Sequence, residues 1–232
     1  MKERGMIFNG EMVRAILDGR KTQTRRIMKA QPSEDFTPMN MTLEPDYKAR
    51  WYTPGIVDKD GYLQPANKEV FGVANENDGY SCPFGAVGDR IWVRETFQGP
   101  LFDFDLMDSY CKDPAPFEKP EFCVYKADGA PAPEFYDADD ELHCRWRPSI
   151  HMPRWASRIL LEITDVRVER LQEITLGDIC KEIGCGLYDF RPATHGFQVW
   201  EELWQSIYGA ENWNANPWVW VIEFKRVEGG AV

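Results

Sequence analysis

One short helix, stopped by a glycine and followed by a cationic run, constrains this chain more than any other feature. Met12, Val13, Ile16 and Leu17 recur at helical spacing, Asn9 stands in the N-cap place and Gly19 at the stop. Such a helix buries its apolar face. The run that follows, Gly19-Arg20-Lys21-Thr22-Gln23-Thr24-Arg25-Arg26, is then held at the edge of a core. Clustered Lys and Arg ordinarily form a solvated face. Here the charges follow a turn and are interleaved with hydroxyls. An ammonium beside a hydroxyl favours an alkoxide, and guanidinium groups suit phosphate or a base edge. The run therefore stands between a solvated face and an oxyanion or polyanion site.

Net charge decides what such a site can bind. The 232 residues carry a formal charge of −11. A nonspecific duplex binder draws its affinity from phosphate neutralisation and is basic overall, so that class is excluded. A local patch remains, made of Arg14, Arg20, Lys21, Arg25, Arg26 and Lys29. It fits a nucleotide or a short single strand. The nine Trp imply an aromatic-rich core, a stacking surface, or both. The sequence opens without an apolar signal segment and has no long apolar run. The expectation is a cytoplasmic protein with reduced cysteines and no membrane partner. Cys82, Cys111, Cys123, Cys144, Cys180 and Cys185 show no CxxC spacing and read as buried thiols. A zinc site from Cys82, Cys144, His143 and His151 is the weaker alternative. No metal or cofactor is expected.

Strand patterns frame two irregular insertions, at about residues 32–80 and 98–141. Met6, Ile7 and Phe8 read as an opening strand, and Arg50-Trp51-Tyr52 as a short strand inside the first insertion. Gly88-Asp89 is a turn, and a strand with period two follows. Ile91, Val93, Glu95 and Phe97 share one of its faces. A carboxylate in line with apolar residues is either hydrated at a strand end or buried beside a cation, with Lys21 or an Arg of the first run as partner. In the second insertion, Phe122 to Ala127 reads as a strand closed by Asp128-Gly129. Arg145-Trp146-Arg147 puts an indole between two guanidinium groups, a composition suited to base stacking. Trp155 reads as core.

Two strands follow, at residues 159–163 and 166–168, with Leu171 closing the pair. A helix is expected from Thr175 to Gly184, with Asp178 serving its start. Glu182 has no such duty; it is either an exposed helix glutamate or a site carboxylate. Phe197 to Tyr208 reads as a second helix with a wide apolar stripe, a core face and not a cofactor box. The last strand puts Trp218, Trp220, Ile222 and Phe224 on one face. Such pieces without βαβ repeats suggest an α+β fold, a small mixed β-barrel with helices at its rim.

The run Gly19 to Arg26 resembles the signature of ASCH domains, of the PUA-like superfamily: a Gly-x-Lys with a basic residue about one turn on. Gly88-Asp89, Leu161-Glu162-Ile163-Thr164 and Trp220 to Lys225 resemble further strands of that family. The resemblance implies one PUA-like domain over residues 1–232, interrupted by the two insertions. The whole chain also resembles large ASCH proteins of phages and prophages. One branch, the N4-acetylcytidine amidohydrolases, carries Gly-Arg-Lys-Thr-x-Thr, which this chain matches at Gly19, Arg20, Lys21, Thr22 and Thr24. The likeness implies catalytic Lys21 and Thr24, and ungapped alignment from Leu161 implies Glu182 as the third member. Arg20, Arg25, Arg26, Glu95, Trp146 and Arg147 are then expected to bind substrate. For both catalytic groups to converge, Lys21 must sit at the turn and not within the strand. Three functions follow as expectations: hydrolysis of an amide on a modified cytosine; binding of RNA or single-stranded DNA without chemistry; or phage accessory or assembly work through contact with a phage or host protein.

Overall fold

A computed structural model of the protein describes residues 1–136, 141–186, 189–190 and 192–227. The second insertion is thus described except for 137–140. The fold is α+β. Its largest sheet is mixed and five-stranded, in the order Glu3–Ile7, Arg90–Arg94, Leu160–Arg170, Trp218–Arg226, Gln23–Ile27. The order is linear, and among the described residues nothing closes it into a barrel. The chain groups into two compact units. One holds Met1–Lys2, Lys21–Asp89 and Glu162–Lys225; the other holds Glu3–Arg20, Arg90–Leu161 and Arg226–Val232.

In the first unit, Gln23–Ile27 runs antiparallel to Trp218–Arg226, with Thr24 opposite Ile222 and Arg25 opposite Val221. Trp218, Trp220, Ile222 and Phe224 are buried as the alternation implied, but so are Val219 and Val221. The last strand is covered on both faces. Val219 and Val221 join Leu171, Ile174, Ile179, Trp200 and Trp204 in one core cluster. Each such side chain contributes about 1.5–3 kcal/mol by leaving water. The helix Leu176–Ile183 begins as expected: Thr175 accepts from the Asp178 backbone N–H at 3.1 Å, and Gly184 closes it at φ 85°. The next helix spans Ala193–Tyr208, starting directly after Pro192 and four residues earlier than its apolar stripe. A Cβ on Gly196 would stand 2.6 Å from Leu176 Cδ1, so the two helices approach through that glycine. The first insertion forms a three-stranded sheet, Arg50–Tyr52, Val70–Ala74 and Gly79–Ser81, and a hairpin of Gly55–Val57 with Leu63–Pro65.

In the second unit, Glu3–Ile7 pairs in parallel with Arg90–Arg94. The helix Gly10–Leu17 has Asn9 as its cap, whose Oδ1 accepts from the Met12 N–H at 2.8 Å, and Gly19 turns the chain at φ 72°. The expected strand at 122–127 shrinks to Val124–Tyr125, which pairs with Phe97–Gln98. Pro120 and the turn at Lys126–Asp128 bend the flanks into 3-10 turns. The two strands expected at 159–168 are one, Leu160–Arg170, which begins in this unit and runs on into the residues of the first. Thr164 and Asp165 stay extended, and no Gly or Pro interrupts the run. Among the described residues no helix is long and apolar enough to cross a membrane.

Candidate functional site

Lys21 lies between the Gly19 turn and the strand Gln23–Ile27, outside the strand as convergence required. The strand's open edge faces the C-terminal end of the helix Leu176–Ile183. There the Thr22 N–H donates to the Lys181 carbonyl at 3.1 Å, and the Arg25 N–H donates to Glu182 Oε1 at 3.0 Å. The Lys21 ammonium donates to the Glu182 carbonyl and stands 3.3 Å from Glu182 Oε1. It therefore meets a last-turn carbonyl at the negative end of the helix. The Lys21 side chain is 0% exposed and that of Glu182 3%. Glu182 is thus no exposed helix glutamate.

The Lys21 ammonium has a pKa lowered from 10.5 to about 8. Burial is the main cause; the Glu182 carboxylate opposes it, while the charges of Arg26 and Arg25 add to it. Burial outweighs the ion pair because the pair sits in a medium that solvates neither partner well.

Arg25 is held just as firmly. Its guanidinium donates to Glu169 Oε1 through Nε at 2.9 Å and also through Nη2, and it stands 3.5 Å from Glu182 Oε2 and 3.9 Å from Asp178. It lies 5.8 Å from the centroid of the Trp200 ring. Around it Arg167 bridges Glu223 at 2.7 Å, Asp178 at 3.4 Å and Glu169 at 3.5 Å. For Asp178, burial pushes the carboxyl pKa up, but the Thr175 hydrogen bond and the Arg25, Arg167 and Lys181 charges hold it below its usual value. Thr24, on the opposite face of the strand from Arg25, is fully buried. Its Oγ1 has no hydrogen-bond partner among the described residues. An unpaired buried hydroxyl costs on the order of 1–3 kcal/mol, so this one lacks the usual structural reason for being there.

The other expected site residues lie elsewhere in the fold. Arg20 is exposed and pairs with Asp18 at 2.8 Å. Arg26 is partly buried, with Nη1 3.5 Å from the Arg25 carbonyl. Of the two states its alternation left open, Glu95 takes the buried, ion-paired one, but its partner is neither Lys21 nor an Arg of the first run. Arg158 takes both its oxygens, at 3.0 and 3.1 Å. The same guanidinium bonds Asp128 at 2.7 and 2.9 Å and stacks 3.9 Å over the Tyr125 ring. Burial pushes the Glu95 pKa up, and Arg158 only partly offsets this. Glu95 lines a cavity of about 560 Å³ with Asn9, Arg14 and Lys126. Trp146 and Arg147 line a different cavity, of about 430 Å³. Glu95 and Trp146 thus face two separate concavities. Trp155 packs on the cluster of Phe97, Tyr125, Met152 and Ala156.

No family model matches the chain, and neither a curated protein nor a solved structure does.

The geometry therefore stands on its own residues. It brings Lys21 and Glu182 into contact from opposite ends of a long sequence separation. It also adds Glu169 and Asp178 as partners of Arg25, and Arg167 as a second cation on the same carboxylates, none of which sequence reasoning found. Glu169 could have been found: it follows Val168 on a strand whose charged positions alternate with buried ones. Of the six cysteines, only Cys180 is buried, and Cys111 and Cys144 are exposed, which corrects the buried-thiol reading. Among the described residues no group of three or more His, Cys, Asp or Glu is placed to hold a metal.

Proposed function

We propose that this chain is an ASCH protein of the PUA-like barrel type that hydrolyses an amide on a modified cytosine, such as N4-acetylcytidine. One observation carries the reading: a buried lysine, its pKa lowered to about 8, in contact with Glu182 and three residues before a buried, unpartnered threonine hydroxyl. A lysine that is partly neutral near pH 8 can take a proton, which an ordinary surface lysine cannot. Neutral Lys21 removes the Thr24 hydroxyl proton as Oγ1 bonds to the acyl carbon, and the carbonyl electron pair moves to oxygen. The oxyanion collapses, the C–N bond breaks, and the exocyclic nitrogen leaves as the amine with the proton Lys21 holds, relayed by Glu182. Water then cleaves the threonyl ester, releasing acetate and restoring the hydroxyl. No metal or cofactor enters. The Gly-Arg-Lys-Thr-x-Thr signature supports the same assignment.

A second reading has its own observation. Lys21, Thr24 and Arg25 are closed off from solvent, and Lys21 already serves a helix end. That arrangement favours a rigid module that binds nucleic acid without chemistry. The purified protein with N4-acetylcytidine separates the two. Hydrolysis expects acetate release that falls at least a hundredfold in Lys21→Met and in Thr24→Val. No release from any N4-acylated cytidine leaves the binding module.

A further inference from the structure

The cavity of about 430 Å³ beside Trp146 is lined by Gln98, Phe135, Arg145, Trp146, Arg147 and Pro148. Its wall is built, not incidental. Arg147 exchanges backbone hydrogen bonds with Phe97 at 2.8 and 3.2 Å, and its Nη1 donates to the Gly99 carbonyl at 3.2 Å. Its guanidinium lies 5.5 Å from the Phe97 ring centroid, and that of Arg145 6.0 Å from the Phe135 centroid. Trp146 lies in sequence between the exposed Arg145 and the anchored Arg147 and is half-buried.

Gln98 is the informative residue. It is 6% exposed, on the short strand paired with Val124–Tyr125. Its Oε1 is buried and has no hydrogen-bond partner among the described residues. A buried amide oxygen without a donor is rare, and this one belongs to a residue that lines an aromatic cavity. A planar ligand with an N–H on its edge would complete it. The half-buried Trp146 supplies a stacking face for such a ligand, and the exposed Arg145 suits a flanking phosphate. The size fits a base with its sugar.

We propose that this cavity binds one base of a single-stranded nucleic acid. Trp146 provides the stacking face, Gln98 Oε1 accepts an N–H from the base edge, and Arg145 meets the backbone phosphate. The inference rests on this cavity alone and is independent of the chemistry assigned to Lys21.

The test is fluorescence anisotropy with three labelled octamers at low salt: oligocytidine, an abasic octamer of equal charge, and an octamer of pyrimidin-2-one riboside, which stacks but lacks the exocyclic amine. The site expects oligocytidine to bind at least tenfold more tightly than the abasic strand. Trp146→Ala should abolish that margin and Trp146→Phe restore most of it. Gln98→Leu should weaken oligocytidine about fivefold while leaving the pyrimidin-2-one octamer unchanged. None of the three octamers carries an acyl group, so the site can fail or stand separately from the hydrolase. Equal binding of abasic and cytidine strands would overturn the proposal, as would a Trp146→Ala protein that keeps the margin. A Gln98→Leu protein that loses both base-bearing octamers equally would overturn the role of the amide.

Discussion

Glu182 and Glu95 are both buried glutamates tied to a cation, yet the strain of burial falls on opposite partners. At Glu182 the cation is a lysine, and the lysine gives way: its pKa falls to about 8. At Glu95 the cation is Arg158, which cannot release its proton in the accessible range, and it is the carboxyl whose pKa is pushed up. The settings differ as well. The Lys21–Glu182 pair is closed from solvent, whereas Arg158 is 21% exposed and Glu95 lines an open cavity. A buried ion pair is thus not one kind of object. With lysine it yields a group that can exchange a proton near neutrality. With arginine it yields a fixed post.

That contrast can be broken by mutation. Removing Arg25 should have the largest effect on the fold. Arg25→Leu takes from Glu169, Asp178 and Glu182 the buried cation they share, and about 3–5 kcal/mol of stability should vanish, read as a lower urea midpoint. A loss under 1 kcal/mol would mean that Arg167 and Lys21 suffice without it. Next comes pH. Folded Lys21 binds its proton less tightly than the ordinary 10.5, so between about pH 8 and 10.5 the unfolded chain holds more protons. Stability should therefore rise with pH across that window. The gain is roughly 3 kcal/mol at its upper end. The difference between wild type and Lys21→Met isolates it, and a flat difference would show that Lys21 titrates normally. The smallest effect belongs to Glu95→Gln. Arg158 keeps Asp128 and the Tyr125 ring, so the loss should be about 1–2 kcal/mol. A loss as large as that of Arg25→Leu would erase the contrast.

Much of this was legible in the residues. The helix caps at Asn9 and Thr175, the glycine stops at Gly19 and Gly184, and the alternation of Ile91, Val93 and Glu95 are local signals, and local backbone chemistry decides them. The apolar neighbours of Glu95 narrowed it to a hydrated strand end or a buried ion pair, and did not choose between them. Its partner was not legible, because Arg158 is far along the chain and nothing in an alternation names the cation. Glu182 shows the same limit. Read alone it is either an exposed helix glutamate or a site carboxylate; only the family likeness sets it with Lys21, and the helix end against the strand edge is what buries it. The double burial of the last strand was hidden too. Val219 and Val221 are apolar on the face that alternation leaves for solvent, a pattern that marks a strand covered on both sides. The two insertions carry Pro, Gly and Asp without a period, so their small sheets were mostly invisible.

The account turns on whether Lys21 works as a base, and the pH dependence of acetate release from N4-acetylcytidine tests this most directly. The account predicts a kcat/KM that climbs with pH and levels off above about 8, following the lowered pKa of Lys21. An absence of release from pH 6 to 10, or a profile that survives intact in Lys21→Met, would contradict it.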